Sequence, residues 1–287
     1  MVHHKGSPAD VIPLQYHAQM LLDDRRMGAF QAAIGRVVRP GSRVLELGAG
    51  TGVLAHFAAV AGAASVIAVE REPSVYQAAS RSLAAHGDDV VVVHADARSF
   101  TPPPVVDVVI CEMLHVGLLR ERQVEVIGAF LSSYAGPPPA FLPCATIQAV
   151  QPVAQDFTFY GYTVAAPLFQ DPSAAQPRTT PLAPPSIFQS FFYGAGALPA
   201  ECAADARFVV QRDGELNAVR MITKNLLTEE PAPVEWLMNY LVVPLPAPMR
   251  VTAGDTVRIR FAYRPGDEIP ELMASLYAEV LSPARSG

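Results

Sequence analysis

Basic residues are scarce in this sequence, and their scarcity limits the partners that the protein can have. The 287 residues include 21 Lys and Arg against 27 Asp and Glu, which gives a formal net charge of −6 at pH 7. Lysine occurs only at Lys5 and Lys224. A surface that grips the phosphates of nucleic acid needs a basic surplus or a basic stripe. The sequence contains neither, and it therefore predicts no nucleic-acid partner.

Cysteines and long apolar runs are also few. The three cysteines are odd in number and form no CxxC pair, so we expect free thiols, no disulfide framework and no metal site. The sequence has no uninterrupted apolar run of about 18 residues, and residues 1–15 lack the apolar stretch of a signal peptide. These features predict a cytoplasmic protein without a membrane partner.

Charged residues make up only 17% of the chain and apolar residues 51%, which leaves ample apolar surface to bury. A chain of 287 residues predicts one large or two medium domains. In residues 1–142, predicted helices alternate with predicted strands, a pattern typical of a parallel sheet with helices on both faces. We expect helices at 16–37, 53–61, 73–86 and 119–134, and strands at 44–47, 66–69, 90–94 and 107–111.

The second half, residues 143–287, has a different pattern and holds most of the 27 prolines. Short runs rich in Val, Ile, Tyr and Phe alternate with turn residues, which predicts an all-β sandwich or barrel. The segment 165–200 is rich in Pro and Ala, and we interpret it as a long loop or an interaction arm. Strands are expected at 146–150, 157–164, 208–211, 218–223, 239–243, 256–263 and 273–280.

A glycine-rich turn between the first predicted strand and the next helix indicates a nucleotide-like cofactor. The turn spaces its glycines as GxGxG, whereas the dinucleotide fingerprint would need glycine at Val53, so NAD is disfavoured. Glu70 ends the second predicted strand, where its carboxylate can accept hydrogen bonds from ribose hydroxyls. Asp96 and Ala97 follow the third strand and can meet an adenine edge. The candidate residues in the turn are Glu46, Gly48, Gly50 and Gly52.

These three elements, in this order, resemble the class I methyltransferases that use S-adenosylmethionine, over about residues 20–135. The resemblance implies a Rossmann-like domain and S-adenosylmethionine as the cofactor. It implies no metal.

Two glutamates after the fourth predicted strand are candidates for binding the methyl acceptor. Glu112 lies at the strand end and Glu121 follows nine residues later, so the intervening loop can return both carboxylates to one pocket. Two carboxylates can grip one guanidinium by paired, charge-assisted hydrogen bonds. This arrangement resembles the double-glutamate loop of the protein arginine methyltransferases, with Met113-Leu114 in its Trp-Met place.

Further motifs support the same resemblance. The segment from His17 to Arg26 resembles that family's helix before the cofactor loop, which implies that Met20 packs over the cofactor and that Arg26 holds its carboxylate. The family also implies a β-barrel-like domain directly after the cofactor domain, with the boundary after residue 142, and a possible homodimer. The sequence departs from the family pattern at residues 9–12, which lack its Tyr-Phe-x-x-Tyr motif, and at Val234-Glu235-Trp236, which replaces its Thr-His-Trp.

The expected function is therefore N-methylation of a guanidino or amine group, with Glu112 and Glu121 as the catalytic residues. The acceptor would be a protein arginine or a small cationic or amine compound. Two alternatives remain open: N- or O-methylation of a small metabolite, and a non-catalytic subunit that only binds the cofactor. His115, Tyr16, His17 and Trp236 are further candidates whose roles the sequence leaves open.

Overall fold

The computed structural model describes residues 14–229 and 232–281, so the expectation for residues 9–12 lies outside the described residues. The first half of the chain alternates helices with strands. Its elements are α1 (Leu14–Met20), α2 (Asp24–Val37), β1 (Arg43–Leu47), α3 (Val53–Val60), β2 (Ser65–Glu70), α4 (Pro73–Leu83), β3 (Val90–His94), β4 (Val108–Cys111), α5 (Gln123–Ser133) and β5 (Ala140–Leu142).

These strands form one parallel sheet in the order β3-β2-β1-β4-β5. Strand β1 pairs with β2 on one side and with β4 on the other. Strands β2 and β3 are therefore added on one side of β1 and strands β4 and β5 on the other, so the strand order switches between β1 and β4. In open sheets of this kind, ligands bind outside the carboxyl ends of the strands at such a switch point. The glycine turn follows β1 and Glu112 follows β4, which places both at this edge.

The prediction of one helix over 16–37 is wrong, because two helices occupy that range. The chain breaks at Leu21–Asp23, and the side chain of Asp23 accepts a hydrogen bond from the backbone N–H of Arg26 at 3.0 Å. An Asp at this position satisfies an amide that has no partner within the helix, and it starts a new helix there. The break places Arg26 in the first turn of α2.

The second half is an antiparallel β domain, as the sequence predicts. Its elements are β6 (Ala145–Gln155), β7 (Thr158–Phe159), β8 (Tyr162–Thr163), β9 (Leu168–Gln170), β10 (Thr179–Pro181), β11 (Ser186–Phe192), β12 (Cys202–Val209), β13 (Gly214–Thr228), β14 (Val234–Leu237), β15 (Tyr240–Val251), β16 (Thr256–Tyr263), α6 (Ile269–Ser275) and β17 (Tyr277–Leu281).

Two main sheets and the two-stranded β7–β8 hairpin build the described part of this domain. The larger has the order β10-β6-β13-β15-β9, with β11 also paired to β6 and β14 to β13, and the smaller has the order β12-β16-β17. The segment 165–200 is neither a plain loop nor a free arm, because β9, β10 and β11 join it to the larger sheet. The predicted strand 273–280 is partly wrong. Pro270 in the first turn of α6 favours a helix there, and the strand starts only at Tyr277.

One continuous apolar core joins the two halves. Phe30 of α2 is fully buried and meets the ring of Trp236 of β14 edge-on at 5.9 Å. Within the described part of the chain, no helix is long and apolar enough to cross a membrane. In the same residues, no three His, Cys, Asp or Glu side chains come together in a group that could hold a metal ion.

Candidate functional site

The turn after β1 exposes its backbone to a cavity. Gly48, Gly50 and Gly52 have φ angles of +79°, +55° and +83°, a left-handed conformation that residues with a side chain rarely adopt. A side chain at Gly50 would meet the Nδ1 atom of His17 at 2.9 Å, and one at Gly48 would meet the Sδ atom of Met113 at 3.0 Å. The turn therefore needs glycine both for its conformation and for the close approach of these two side chains.

Glu70 is held at the end of β2 by backbone amides. Its carboxylate accepts hydrogen bonds from the N–H groups of Gly50 at 2.9 Å and of Arg71 and Glu72 at 2.8 Å each. Glu70 faces a cavity, here called the Glu70 cavity, together with Gly48 and the predicted adenine-side residues Asp96 and Ala97. The structure thus brings these four predicted cofactor residues together.

Asp96 forms an ion pair with Arg98 that the sequence analysis does not predict. Its carboxylate accepts a hydrogen bond from the Arg98 guanidinium at 2.6 Å, and this contact lowers the pKa of Asp96. The carboxylate therefore orders its own loop at the rim of the Glu70 cavity. Ala97, the next residue, also lines this cavity.

A second cavity, here called the Glu46 cavity, adjoins the glycine turn and shares Gly48 with the Glu70 cavity. Glu46, Met20 and Arg26 line it together with Glu112 and Glu121. The Arg26 guanidinium donates a hydrogen bond to the Glu112 carboxylate, and both side chains are about nine-tenths buried. On the residues that line this cavity, three buried side-chain atoms have no hydrogen-bond partner among the described residues: Nε of Arg26, Oε2 of Glu46 and Oε1 of Glu112.

The partner of Arg26 in the structure was not expected. The family resemblance implies that Arg26 holds a cofactor carboxylate, and in the structure it pairs with the predicted catalytic residue Glu112. Burial lowers the pKa of Arg26, but the Glu112 carboxylate reverses this and leaves the pKa raised. Arg26 is therefore a fixed positive charge beside Glu112, with one nitrogen still unpartnered.

The third cavity, here called the Trp236 cavity, opens toward the β domain. Tyr16, His115 and Phe169 contribute to its wall, and Trp236 lies with its ring 5.2 Å from the Arg26 guanidinium. Glu121 lines all three cavities, whereas Arg26 and Met20 line the Glu46 and Trp236 cavities. Glu121 therefore stands at the junction between the glycine turn and the Trp236 cavity.

His115 does not fit the role of a base at neutral pH. Burial lowers the pKa of His115 to about 4, and its ring Nδ1 lies 3.0 Å from the Val116 carbonyl oxygen. Glu235, at the position of the family's histidine, pairs with Lys224 at 2.7 Å and does not line the Trp236 cavity. The neutral ring of His115, edge-on to Phe169 at 5.6 Å, is a wall of that cavity.

Three carboxyl groups at the site have raised pKa values. Burial raises the pKa of Glu46 to about 8. Burial and then the nearby Glu112 carboxylate raise the pKa of Glu121 to about 8. Burial also raises the pKa of Glu112, and Arg26 opposes that rise. A cation entering this site would favour the ionised carboxylates and lower these pKa values.

These pKa values predict how the stability of the ligand-free protein depends on pH. Glu46 has its ordinary pKa near 4.5 when unfolded and about 8 when folded, so the folded state holds the extra proton between these values. Stability should therefore fall as the pH rises from about 5 to about 8. Glu46→Gln should show a smaller fall, because it removes one of the three carboxyl groups whose pKa values are raised. Urea unfolding at both ends of this range tests this, and equal falls in the two proteins would contradict it.

The loop between the two glutamates is held by the β domain. The Gly117 N–H donates to Oγ1 of Thr223 at 2.7 Å, and the Tyr263 hydroxyl donates to the Gly117 carbonyl at 2.6 Å. Leu118 and Arg120 have φ angles of +53° and +62°, so helix α5 starts at Gln123 and not at 119 as the sequence predicts. These contacts return the chain so that Glu112 and Glu121 share one cavity.

Sequence reasoning missed the residues that hold this loop. Thr223 and Tyr263 lie in strands β13 and β16, more than 100 residues after the loop. Their only signal in the sequence is the presence of polar side chains within otherwise apolar strand or helix patterns. That signal does not say which loop they contact.

Comparisons with known proteins agree with this geometry. Residues 44–132 match a family model described as a methyltransferase domain. An uncharacterized protein of Methanothermobacter thermautotrophicus is 31% identical over 267 residues, covering 91% of this chain and 97% of that protein. An arginine N(omega)-methyltransferase of Streptomyces achromogenes subsp. streptozoticus is 34% identical over 113 residues, covering 37% of this chain and only 31% of its own length.

Two solved structures share the fold. Protein arginine methyltransferase 10 of Arabidopsis thaliana has a TM-score of 0.73 at 20% identity, with 87% of each chain covered. The PRMT1 enzyme–prozyme heterotetrameric complex of Trypanosoma brucei has a TM-score of 0.70 at 18% identity, covering 92% of this chain and 96% of that one. The resemblance therefore extends over both the parallel sheet and the antiparallel domain.

Proposed function

Because the chain belongs to the class I S-adenosylmethionine-dependent methyltransferases and resembles the protein arginine methyltransferases, we propose that it methylates a guanidino or amine nitrogen. The observation that carries the proposal is the pair of carboxyl groups, Glu112 and Glu121, that face the same two cavities beside the glycine turn. Two such groups match the two edges of a guanidinium, which a single carboxylate cannot cover.

The residues around the glycine turn fit the cofactor. When bound, S-adenosylmethionine supplies an electrophilic methyl group on a positively charged sulfur. Gly48 and Gly50 would provide the open backbone, and Glu70 would provide the acceptor for ribose hydroxyls. The predicted cofactor residue Gly52 lines none of the three cavities, because it is buried against Leu83 and serves the conformation of the turn. The unpartnered Nε of Arg26 would receive the cofactor carboxylate, and the unpartnered Oε2 of Glu46 lies in the same cavity.

The two glutamates would act on the acceptor. Entry of a cationic guanidinium would lower their raised pKa values and release a proton from Glu121. The ionised pair would then hold the guanidinium in one orientation and draw its positive charge away from the reacting nitrogen. Positioning of this kind can account for a large share of a rate acceleration.

The acceptor would reach the glutamates through the Trp236 cavity. Its wall combines Trp236, Phe169 and His115 with the acidic residues Asp23 and Asp171. Apolar and acidic groups together suit the long apolar stem and cationic tip of an arginine side chain. A protein arginine is therefore the first candidate acceptor.

A small guanidino compound is the second candidate, because basic groups also line this cavity. Arg25 lies 3.9 Å from Asp171, and Arg120 lies 3.1 Å from Glu268, and both are about half exposed or more. Either guanidinium could receive the carboxylate of a free amino acid. The name of the Streptomyces relative, arginine N(omega)-methyltransferase, is consistent with this candidate.

The proposal also assigns a role to each half of the chain, a homodimeric assembly and a cytoplasmic location. Residues 1–142 would bind the cofactor, and residues 143–287 would bind the acceptor and a second copy of the chain in a homodimer. The heterotetramer of the Trypanosoma brucei relative and the exposed Tyr160 and Tyr162 of the β7–β8 hairpin support an assembly. The cytoplasmic location stays a prediction, supported by the free thiols of Cys111, Cys144 and Cys202.

An acceptor panel tests the proposed function. The purified chain is incubated with S-adenosylmethionine and an Arg-rich peptide, free arginine, or small primary amines, and the demethylated cofactor formed is measured. We expect turnover with at least one guanidino acceptor. Turnover with the peptide alone or with free arginine alone would choose between the two candidates. Cofactor binding without turnover on any acceptor would favour the non-catalytic alternative.

A further inference from the structure

Gln123, the first residue of α5, is fully buried and holds the chain on both sides of Glu112. Its Oε1 accepts a hydrogen bond from the Met113 N–H at 2.9 Å, and its Nε2 donates to the Cys111 carbonyl at 2.7 Å. These two peptide groups flank Glu112 directly. One side chain thus fixes the backbone from which the Glu112 carboxylate projects.

Buried polar side chains extend from the Gln123 amide into the β domain. Burial raises the pKa of the Tyr193 hydroxyl and the neighbouring Gln123 side chain opposes that rise, and this hydroxyl donates a hydrogen bond to Oγ1 of Thr146 at 3.0 Å. Thr146 in turn donates to Oδ1 of Asn225 at 2.8 Å. All four side chains are buried, so this is a connected polar chain inside an apolar core.

The last residue of this polar network, Asn225, lies close to the site. Asn225 of β13 lies opposite Trp236 of β14 in the strand pairing, and the Trp236 ring lies against the Arg26 guanidinium that pairs with Glu112. A connected set of buried hydrogen bonds specifies one arrangement of the groups it joins, and at the end of this one Nδ2 of Asn225 has no partner among the described residues. The network therefore links the backbone of Glu112 to the strands behind its partner.

We propose that Gln123 is a positioning residue that sets the orientation of the Glu112 carboxylate, with Tyr193 and Thr146 holding the Gln123 amide in place. The catalytic part of this inference rests on the proposed function. The structural part does not, because it concerns only the hydrogen bonds at Cys111 and Met113.

Gln123→Met tests the inference, because methionine has a similar length and makes neither hydrogen bond. We expect kcat to fall about 10- to 100-fold, since a small misplacement of a catalytic group has an effect of this size. The dissociation constant of S-adenosylmethionine should change less than about twofold, because Gln123 lines none of the three cavities. Gln151→Met is the matched control. Gln151 is a buried amide of β6 that bonds to Ala183 and Arg220, and its loss should leave kcat unchanged.

Two further variants separate positioning from general stability. In Gln123→Glu, the protonated carboxyl group can still accept from Met113 and donate to Cys111, whereas the ionised form cannot donate. The activity of this variant relative to wild type should therefore rise as the pH falls. Tyr193→Phe removes only the supporting hydroxyl and should lower kcat a few-fold. A kcat loss that follows only the lowered melting temperature of each variant, whatever the pH, would overturn the inference.

Amide hydrogen exchange provides a measurement that needs no acceptor. In Gln123→Met, the Met113 amide should exchange faster than in wild type, whereas in Gln151→Met it should not. An unchanged Met113 exchange rate would refute the structural part. If wild type turns over no acceptor, the proposed function and the catalytic part fail together, and the exchange rate still decides whether Gln123 holds the loop.

Discussion

Glu112→Gln should lower kcat by about 10²- to 10³-fold without weakening the binding of S-adenosylmethionine, the loss expected when one strong electrostatic contact to a reacting group is removed. Glutamine keeps the shape of the side chain but cannot carry the negative charge that the acceptor cation needs. Arg26, which pairs with Glu112 in the ligand-free protein, would be free to bind the cofactor carboxylate. Cofactor affinity should therefore stay the same or increase.

Steady-state kinetics and calorimetric titration of the cofactor check this prediction. Glu125→Gln is the matched control, because Glu125 of α5 is a nearby glutamate that pairs with Arg122 at 2.8 Å at the surface. It should retain the wild-type kcat. Retention of full activity by Glu112→Gln would remove Glu112 from the mechanism, and a parallel loss of cofactor affinity would show that Glu112 serves the cofactor site.

Arg26→Met should affect both stability and cofactor binding. It leaves the Glu112 carboxyl group buried without its cationic partner, and the loss of one member of a buried ion pair costs about 3–5 kcal/mol of unfolding free energy. It also removes the group expected to hold the cofactor carboxylate. We expect the cofactor to bind about 10- to 100-fold more weakly, the range for a hydrogen bond to a charged group.

The double variant Arg26→Met with Glu112→Gln separates these two effects. It removes the uncompensated carboxyl group, so it should regain most of the lost stability in urea unfolding, while cofactor affinity stays low. Arg43→Met is the surface control, since Arg43 pairs with Asp107 at 2.8 Å in an exposed position and should matter little to either property. Wild-type cofactor affinity in Arg26→Met would contradict the role assigned to Arg26.

The cofactor side of the site could be predicted because its residues are local in the sequence. The glycine turn directly follows a buried strand, and Glu70 and Asp96 end or follow the next two strands. In a parallel sheet all strand ends of one kind lie at the same edge, so the pattern alone brings these residues together. The structure places Gly48, Glu70, Asp96 and Ala97 around one cavity.

The contacts between distant parts of the chain could not be predicted in this way. The Arg26–Glu112 pair joins residues 86 positions apart, and the Tyr193 network joins α5 to two strands of the β domain. The segment 165–200 looked like a loop because its prolines are unfavourable inside sheets. Its strand β10 is an edge strand of the larger sheet. Proline has no backbone N–H to donate, and an edge strand tolerates Pro181 because it pairs with a neighbour on one side only.

The central claim is that Glu112 and Glu121 present a guanidino or amine nitrogen to the methyl donor. Its most direct test is tandem mass spectrometry of an Arg-rich peptide and of free arginine after incubation with S-adenosylmethionine and either wild type or Glu112→Gln. The account predicts a methyl group on a guanidino nitrogen with wild type and almost none with Glu112→Gln. Methylation at an oxygen or a carboxyl group, or equal guanidino methylation by both proteins, would contradict it.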